Sequence, residues 1–171
     1  IFLDIILGRF AFEGQKTYYS FVRLVDDNDT YVADNFMKMS LVSQRDDFRN
    51  NRVLNFRNDS LTAIDFIYPD SAFSLTKKEN HWFKNNVEVD SIKFKKYHDD
   101  VQFIMSKSFA SPNSTSVPTH EVIFRFSNRS EIKITGNFEQ GDWLIRSSEN
   151  KDEAWKDPIL SEKIFMSNKY F

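Results

Sequence analysis

The chain has 171 residues, 40% of them hydrophobic and 16% aromatic, with eighteen Phe against four Gly and four Pro. That composition excludes disordered and low-complexity classes and suffices to bury a core without a metal or a disulfide. The 23 Lys and Arg against 25 Asp and Glu give a formal net charge of -2, so no basic field gathers phosphates and nucleic acid is not expected as a partner. The lack of Cys excludes a disulfide framework, a thiol nucleophile and thiolate metal sites.

Residues 1–56 read as a first unit. Leu3 to Phe12 and Tyr18 to Val25 read as strands, Asp26-Asp27-Asn28-Asp29 as a turn, and Tyr31-Val32-Ala33 as a third strand. Phe36 to Val42 and Asp46 to Asn51 follow as short helices. The opening stretch carries Asp4 and meets Gly8 and Arg9 well short of the roughly 18 apolar residues that span a bilayer. With Ile1 in first place, the expectation is a mature product whose upstream targeting segment or lipid anchor has been removed.

Residues 57–110 carry the clearest pattern. Ile64, Phe66 and Tyr68 recur at a period of two before Pro69-Asp70-Ser71, Phe73 and Leu75 repeat it, and Trp82 opens a third strand after Lys78-Glu79-Asn80; this is a β-meander. A helix is expected from Ser91 to Ser108. Phe94, Tyr97, Val101, Ile104 and Met105 recur there at helical spacing, and Asp90 or Ser91 is the natural N-cap.

Residues 111–119 have linker composition around Pro112 and Pro118, and 120–171 form a third unit. There Val122, Phe124 and Phe126 alternate, the Ser127-Asn128-Arg129-Ser130 turn follows, and Ile132 with Ile134 returns. Trp143-Leu144-Ile145 takes the place that Trp82 holds in the middle unit. Glu149 to Phe165 reads as a broken helical stretch with a boundary at Asp157, set by Pro158. The fold class is therefore α+β: repeated antiparallel β-meander plus helix units, with helices packed on one face of the sheets and the other face partly solvated.

The order of these motifs resembles a bacterial family, domain of unknown function family 4340, over nearly the whole chain. The resemblance rests on Tyr18-Tyr19-Ser20-Phe21-Val22-Arg23-Leu24, Asp29-Thr30-Tyr31-Val32-Ala33-Asp34 and Asp46-Asp47-Phe48-Arg49-Asn50 leading to Val53-Leu54-Asn55-Phe56. The Trp82 meander, the helix after Asp90-Ser91, and Ile164-Phe165 to Tyr170-Phe171 also carry it. It implies tandem meander-and-helix units and export to the cell envelope behind a signal or lipid anchor. It implies no reaction, and some relatives accompany transport or gliding-type membrane components.

No motif nominates catalytic residues, a cofactor or a metal. His81 beside Trp82 reads as a sheet-edge residue, His120 as a strand start, and His98 as part of the polar side of the helix with Asp99 and Asp100, without the helical-spacing partner that zinc or di-iron sites need. The acidic run at Asp26 lacks the mid-loop Gly and twelfth-place Glu of a calcium loop. Gly8, Gly14, Gly136 and Gly141 are too scattered for a phosphate loop or a nucleophile elbow.

Aromatic side chains are the binding candidates: Tyr18, Tyr19, Tyr31, Trp82, Trp143 and Trp155, most of which strand periodicity would place in a core. The expected function is a non-catalytic envelope module that contacts another envelope protein or surface component. A small-ligand or glycan binder is the first alternative and an enzyme of unrecognised type the second. Location is expected to be extracytoplasmic, with membrane attachment only through the upstream segment.

Asp59-Ser60-Leu61, Asp70-Ser71-Ala72 and Asp90-Ser91-Ile92 resemble the Asp-Ser-apolar acceptor of an envelope O-glycosylation system, while turn and N-cap chemistry explains the same strings. Intact mass of the natively exported protein discriminates the two. Added sugar mass that maps to Ser60, Ser71 or Ser91 supports modification, and an unmodified mass removes it.

Overall fold

Alternation of apolar and polar side chains makes strands of most of this chain. In the computed structural model, which describes residues 4–14, 17–34, 45–56, 60–111, 117–139 and 141–171, the protein is α+β and mostly antiparallel sheet, with two α-helices among the described residues. It divides into two compact units, residues 1–49 and 50–171.

The first unit is a three-stranded antiparallel sheet of β1 (Ile5–Glu13), β2 (Thr17–Leu24) and β3 (Tyr31–Asp34), in that order. A register shift between Leu7 and Phe10 moves Phe10 and Phe12 onto the face that already carries Ile5 and Leu7, because one extra residue inverts a period of two. A 3-10 turn, Arg45–Phe48, follows. The helix expected over Phe36 to Val42 lies outside the described residues, as do Pro112 to Ser116 of the expected linker.

In the second unit, β4 (Arg52–Asn55) precedes the meander β5 (Leu61–Tyr68), β6 (Ser71–Lys78), β7 (His81–Lys84) and β8 (Val87–Glu88). The β7–β8 connection places Asn85 and Asn86 at φ 51° and 66°, the left-handed pair that a two-residue hairpin demands and Asn tolerates. Helix α1 (Ser91–Val101) begins where Asp90 Oδ1 accepts the Ile92 and Lys93 amides at 2.8 and 3.1 Å, an N-cap contributing about 1 kcal/mol.

A second run of strands follows β9 (Phe103–Met105): β10 (His120–Phe126), β11 (Glu131–Glu139), β12 (Asp142–Ser147) and β13 (Asn150–Trp155), then helix α2 (Pro158–Ile164). The two runs share one eight-stranded sheet, ordered β13-β12-β11-β10-β5-β6-β7-β8, in which the first strands of each run pair antiparallel. Val122 stands opposite Phe66 and Phe124 opposite Ile64, so the buried rows of the two runs become one. A bulge between Arg125 and Phe126 brings Leu61 onto the same face as Ile64. Helix α1 meets this face by stacking Phe94 on Trp82, with ring centroids 4.3 Å apart. Tyr97, fully buried, donates its hydroxyl to the Ile164 carbonyl at 3.2 Å and so ties α1 to α2.

The opposite face carries a band of ion pairs and hydrogen bonds around Asp65 and Arg125. Arg125 bonds Asp65 at 2.7 Å and Glu131 at 2.9 Å, Ser74 bonds Asp65 at 2.6 Å, and Lys133 pairs with Glu121 at 3.0 Å. Such surface pairs contribute only about 0.2–1 kcal/mol each, and their consequence is to keep that face wetted.

Two expectations are corrected. The helix from Ser91 stops at Val101 instead of running to Ser108, because Phe103, Ile104 and Met105 revert to strand alternation and pair with β4; only Ile104 of the three is buried. Residues 150–155, expected to be helical, form β13 at the sheet edge, where Trp155 is fully buried and its indole N–H donates to the Ser106 carbonyl at 3.1 Å. The helix boundary does fall at Pro158, with the Asp157 side chain accepting the Ile159 amide at 3.0 Å.

Gly136 sits beneath the Phe165 ring, which would lie 2.5 Å from an added Cβ, and Phe165 is held in place by stacking on Trp143 at 5.2 Å. Gly136→Ala should therefore lower unfolding free energy by about 1–3 kcal/mol in denaturant titration. The loss should shrink in a Phe165→Ala background, since the clash needs both side chains.

Candidate functional site

The hairpin β6–β7, the two-residue β8 and helix α1 enclose a cleft of about 310 Å³. Its polar rim contains two pairs: His81 Nδ1 lies 2.6 Å from Glu88 Oε1, and the Lys95 ammonium bonds the Asp99 carboxylate one helical turn on. Trp82 and Phe94, stacked on each other, line it from the core side.

His98 also lines this cleft. It was expected on the polar side of the helix with Asp99 and Asp100, and the structure overturns that: His98 is only 2% exposed. Its ring meets Phe56 edge-on at 5.6 Å and lies 6.1 Å from Phe94. Phe94, Tyr97, His98 and Val101 are the buried residues of α1, an i, i+3, i+4, i+7 stripe. The spacing that identified the helix thus already placed His98 inside; its charge class concealed it. Its Nε2 is a buried nitrogen without a hydrogen-bond partner among the described residues. Burial pushes the imidazole below its ordinary value of 6.5, an effect that Lys95 and Lys77 reinforce and Asp99 opposes.

The aromatic candidates separate. Trp155 is fully buried and Trp82 nearly so, both within the core, and Trp82 also lines the α1 cleft. Trp143 is half-buried, stacked on Phe165 and 4.9 Å from the His120 ring. His120, 5.0 Å from Tyr68, is likewise pushed below its usual value by burial. Tyr18 is half-buried and lies 5.2 Å from Phe12 in an edge arrangement; Tyr19 is half-buried on the opposite face of β2. Tyr31 is exposed and donates its hydroxyl to Asp27 Oδ2 at 2.8 Å.

Asp27 also accepts the Asp29 amide at 3.0 Å, so the acidic run at 26–29 is organised around its own turn, and these bonds hold the Asp27 carboxyl below the usual range. No group of three His, Asp or Glu among the described residues is arranged to hold a metal. Of the Asp-Ser strings, Ser91 is exposed and Ser60 and Ser71 are half-buried.

A family model described as Domain of unknown function (DUF4340) matches residues 12–121. The match ends within β10, so the closing segment from Ile164 that contributes to the resemblance lies beyond it. No curated protein and no solved structure matches the chain.

Depressed His titration sets a sign for stability against pH. A folded imidazole with a lower proton affinity than the unfolded one binds fewer protons, so folding is fully supported above about 6.5 and weakened as pH falls toward the folded value. Denaturant titrations across mildly acidic pH should show stability falling by no more than about 1.4 kcal/mol per pH unit from His98. His98→Gln should flatten that profile, leaving the His120 component.

Proposed function

Because the chain belongs to the family described as Domain of unknown function (DUF4340), and that description names no reaction, we propose a function from its own surface. The protein is a non-catalytic module of the cell envelope that holds another envelope protein or surface component through the sheet of residues 4–34. One observation supports this most: large apolar side chains are exposed on both faces of that sheet, Ile6 and Val32 on one and Leu24 and Tyr31 on the other, with Val32 at 61%. Tyr31 and Val32 belong to an outer strand, and strand edges with exposed apolar residues recruit further strands or flat apolar partners.

Chemistry in the second unit supports the same reading. Around the α1 cleft Glu88 lies against His81 and Asp99 against Lys95, which occupies the carboxylates of its rim. The reading takes β5–β8 with α1 and β10–β13 with α2 as repeats of one meander-plus-helix module; each is a run of four sequential antiparallel strands with a helix after it. Envelope location is taken from the family resemblance. No helix among the described residues is long and apolar enough to cross a membrane.

Affinity capture of the full-length protein from its native envelope, followed by mass spectrometry, tests this function. One recurrent partner should be recovered, and Val32→Lys or Ile6→Lys should reduce its recovery roughly tenfold, about 1.4 kcal/mol, with an unchanged circular dichroism spectrum. Recovery that is indifferent to both substitutions removes the sheet from the function.

A further inference from the structure

The cleft beside α1 holds a cation with no direct contact to a counter-charge among the described residues. Neighbouring lysines are engaged: Lys78 bonds Asn86 Oδ1 at 3.1 Å, Lys84 bonds the carbonyls of Asn168 and Phe171 at 2.6 Å, and Lys95 bonds Asp99. Lys77 lines the cleft without a hydrogen-bond or ion-pair partner among the described residues. It stands directly across the strand pair from Trp82, half-buried on the sheet face that packs against α1. An ammonium on a half-buried stem, partly screened from water, interacts more strongly with an anion than one on the open surface.

The second independent feature is the orphaned Nε2 of His98 in the same cleft wall. An unsatisfied buried nitrogen is uncommon in native structures and calls for a physical explanation. A polar group that enters the cleft and shifts its wall enough to uncover this nitrogen supplies one. The volume of about 310 Å³ lies at the lower end of the roughly 300–1,000 Å³ typical of small-molecule sites.

The geometry points to a binding site for a small organic monocarboxylate, its carboxylate on Lys77 and His98 and its apolar body against Trp82 and Phe94. Phosphate fits less well. The first free amides of α1, which would cradle a phosphate, are already taken by the Asp90 carboxylate at Ile92 and Lys93, and that fixed negative charge opposes a dianion. Glu88 and Asp99, each already paired with a basic group, add to the opposition.

Titration of the full chain with benzoate, followed by NMR at the Trp82 indole and the His98 ring, tests the site. Benzoate should produce saturable shifts at both rings in the millimolar range, whereas benzyl alcohol and inorganic phosphate should not. Lys77→Met, which keeps the apolar stem, and Lys77→Gln, which keeps a polar head, should each weaken binding roughly tenfold. Lys93→Met, on the exposed side of α1, should leave it unchanged. The assignment is overturned by absence of saturable shifts, by equal binding of benzyl alcohol or phosphate, or by equal losses in the Lys77 and Lys93 variants.

Discussion

The pairing of β5 with β10 is the contact on which the second unit depends. Each four-stranded run alone would leave one edge of its first strand open and its buried row half covered. Joined in the observed register, Ile64 and Phe66 continue into Phe124 and Val122, and beyond them into Ile134. These side chains are fully buried, and each contributes roughly 1.5–3 kcal/mol of transfer free energy. A slip of one residue would turn them all to the charged face occupied by Arg125 and Asp65, so the register is fixed by burial on one side and by ion pairs on the other.

Both helices then close over a surface that neither run supplies alone. Tyr97 of α1 meets Phe66 of β5 at 5.8 Å and Phe171 at 5.3 Å, and bonds the end of α2. The cleft by Lys77 lies at the edge of this sheet, between the β6–β7 hairpin, the two-residue β8 and α1.

Much of this was legible because local pattern and tertiary demand agree. Alternation marks β5, β6, β10 and the start of β11, Asp90 marks the helix start, and Pro158 marks the second helix. Where the two disagree, the sequence misleads. Residues 150–155 are mostly polar and have poor strand propensity, yet the edge position buries Trp155 and supplies backbone partners: the Ala110 amide bonds the Ala154 carbonyl at 2.8 Å. Phe103 to Met105 fits a helical stripe in isolation, and only β4, about fifty residues earlier, draws it into a strand. The candidate cleft was hidden for the same reason. His98 lies at a core position of its helix, and Lys77 gains its significance from Trp82 across a hairpin and from partners formed by its neighbours.

Hydrogen exchange resolved by residue tests the central claim most directly. If the β5–β10 register unites the two runs, amides of β5 and β10 should be the slowest to exchange, and β6 and β11 should open with the same free energy in one cooperative event. Exchange of β10–β12 through a separate, lower-energy opening while β5–β7 stays protected would contradict it, and would mean that the two runs are independent sheets placed edge to edge.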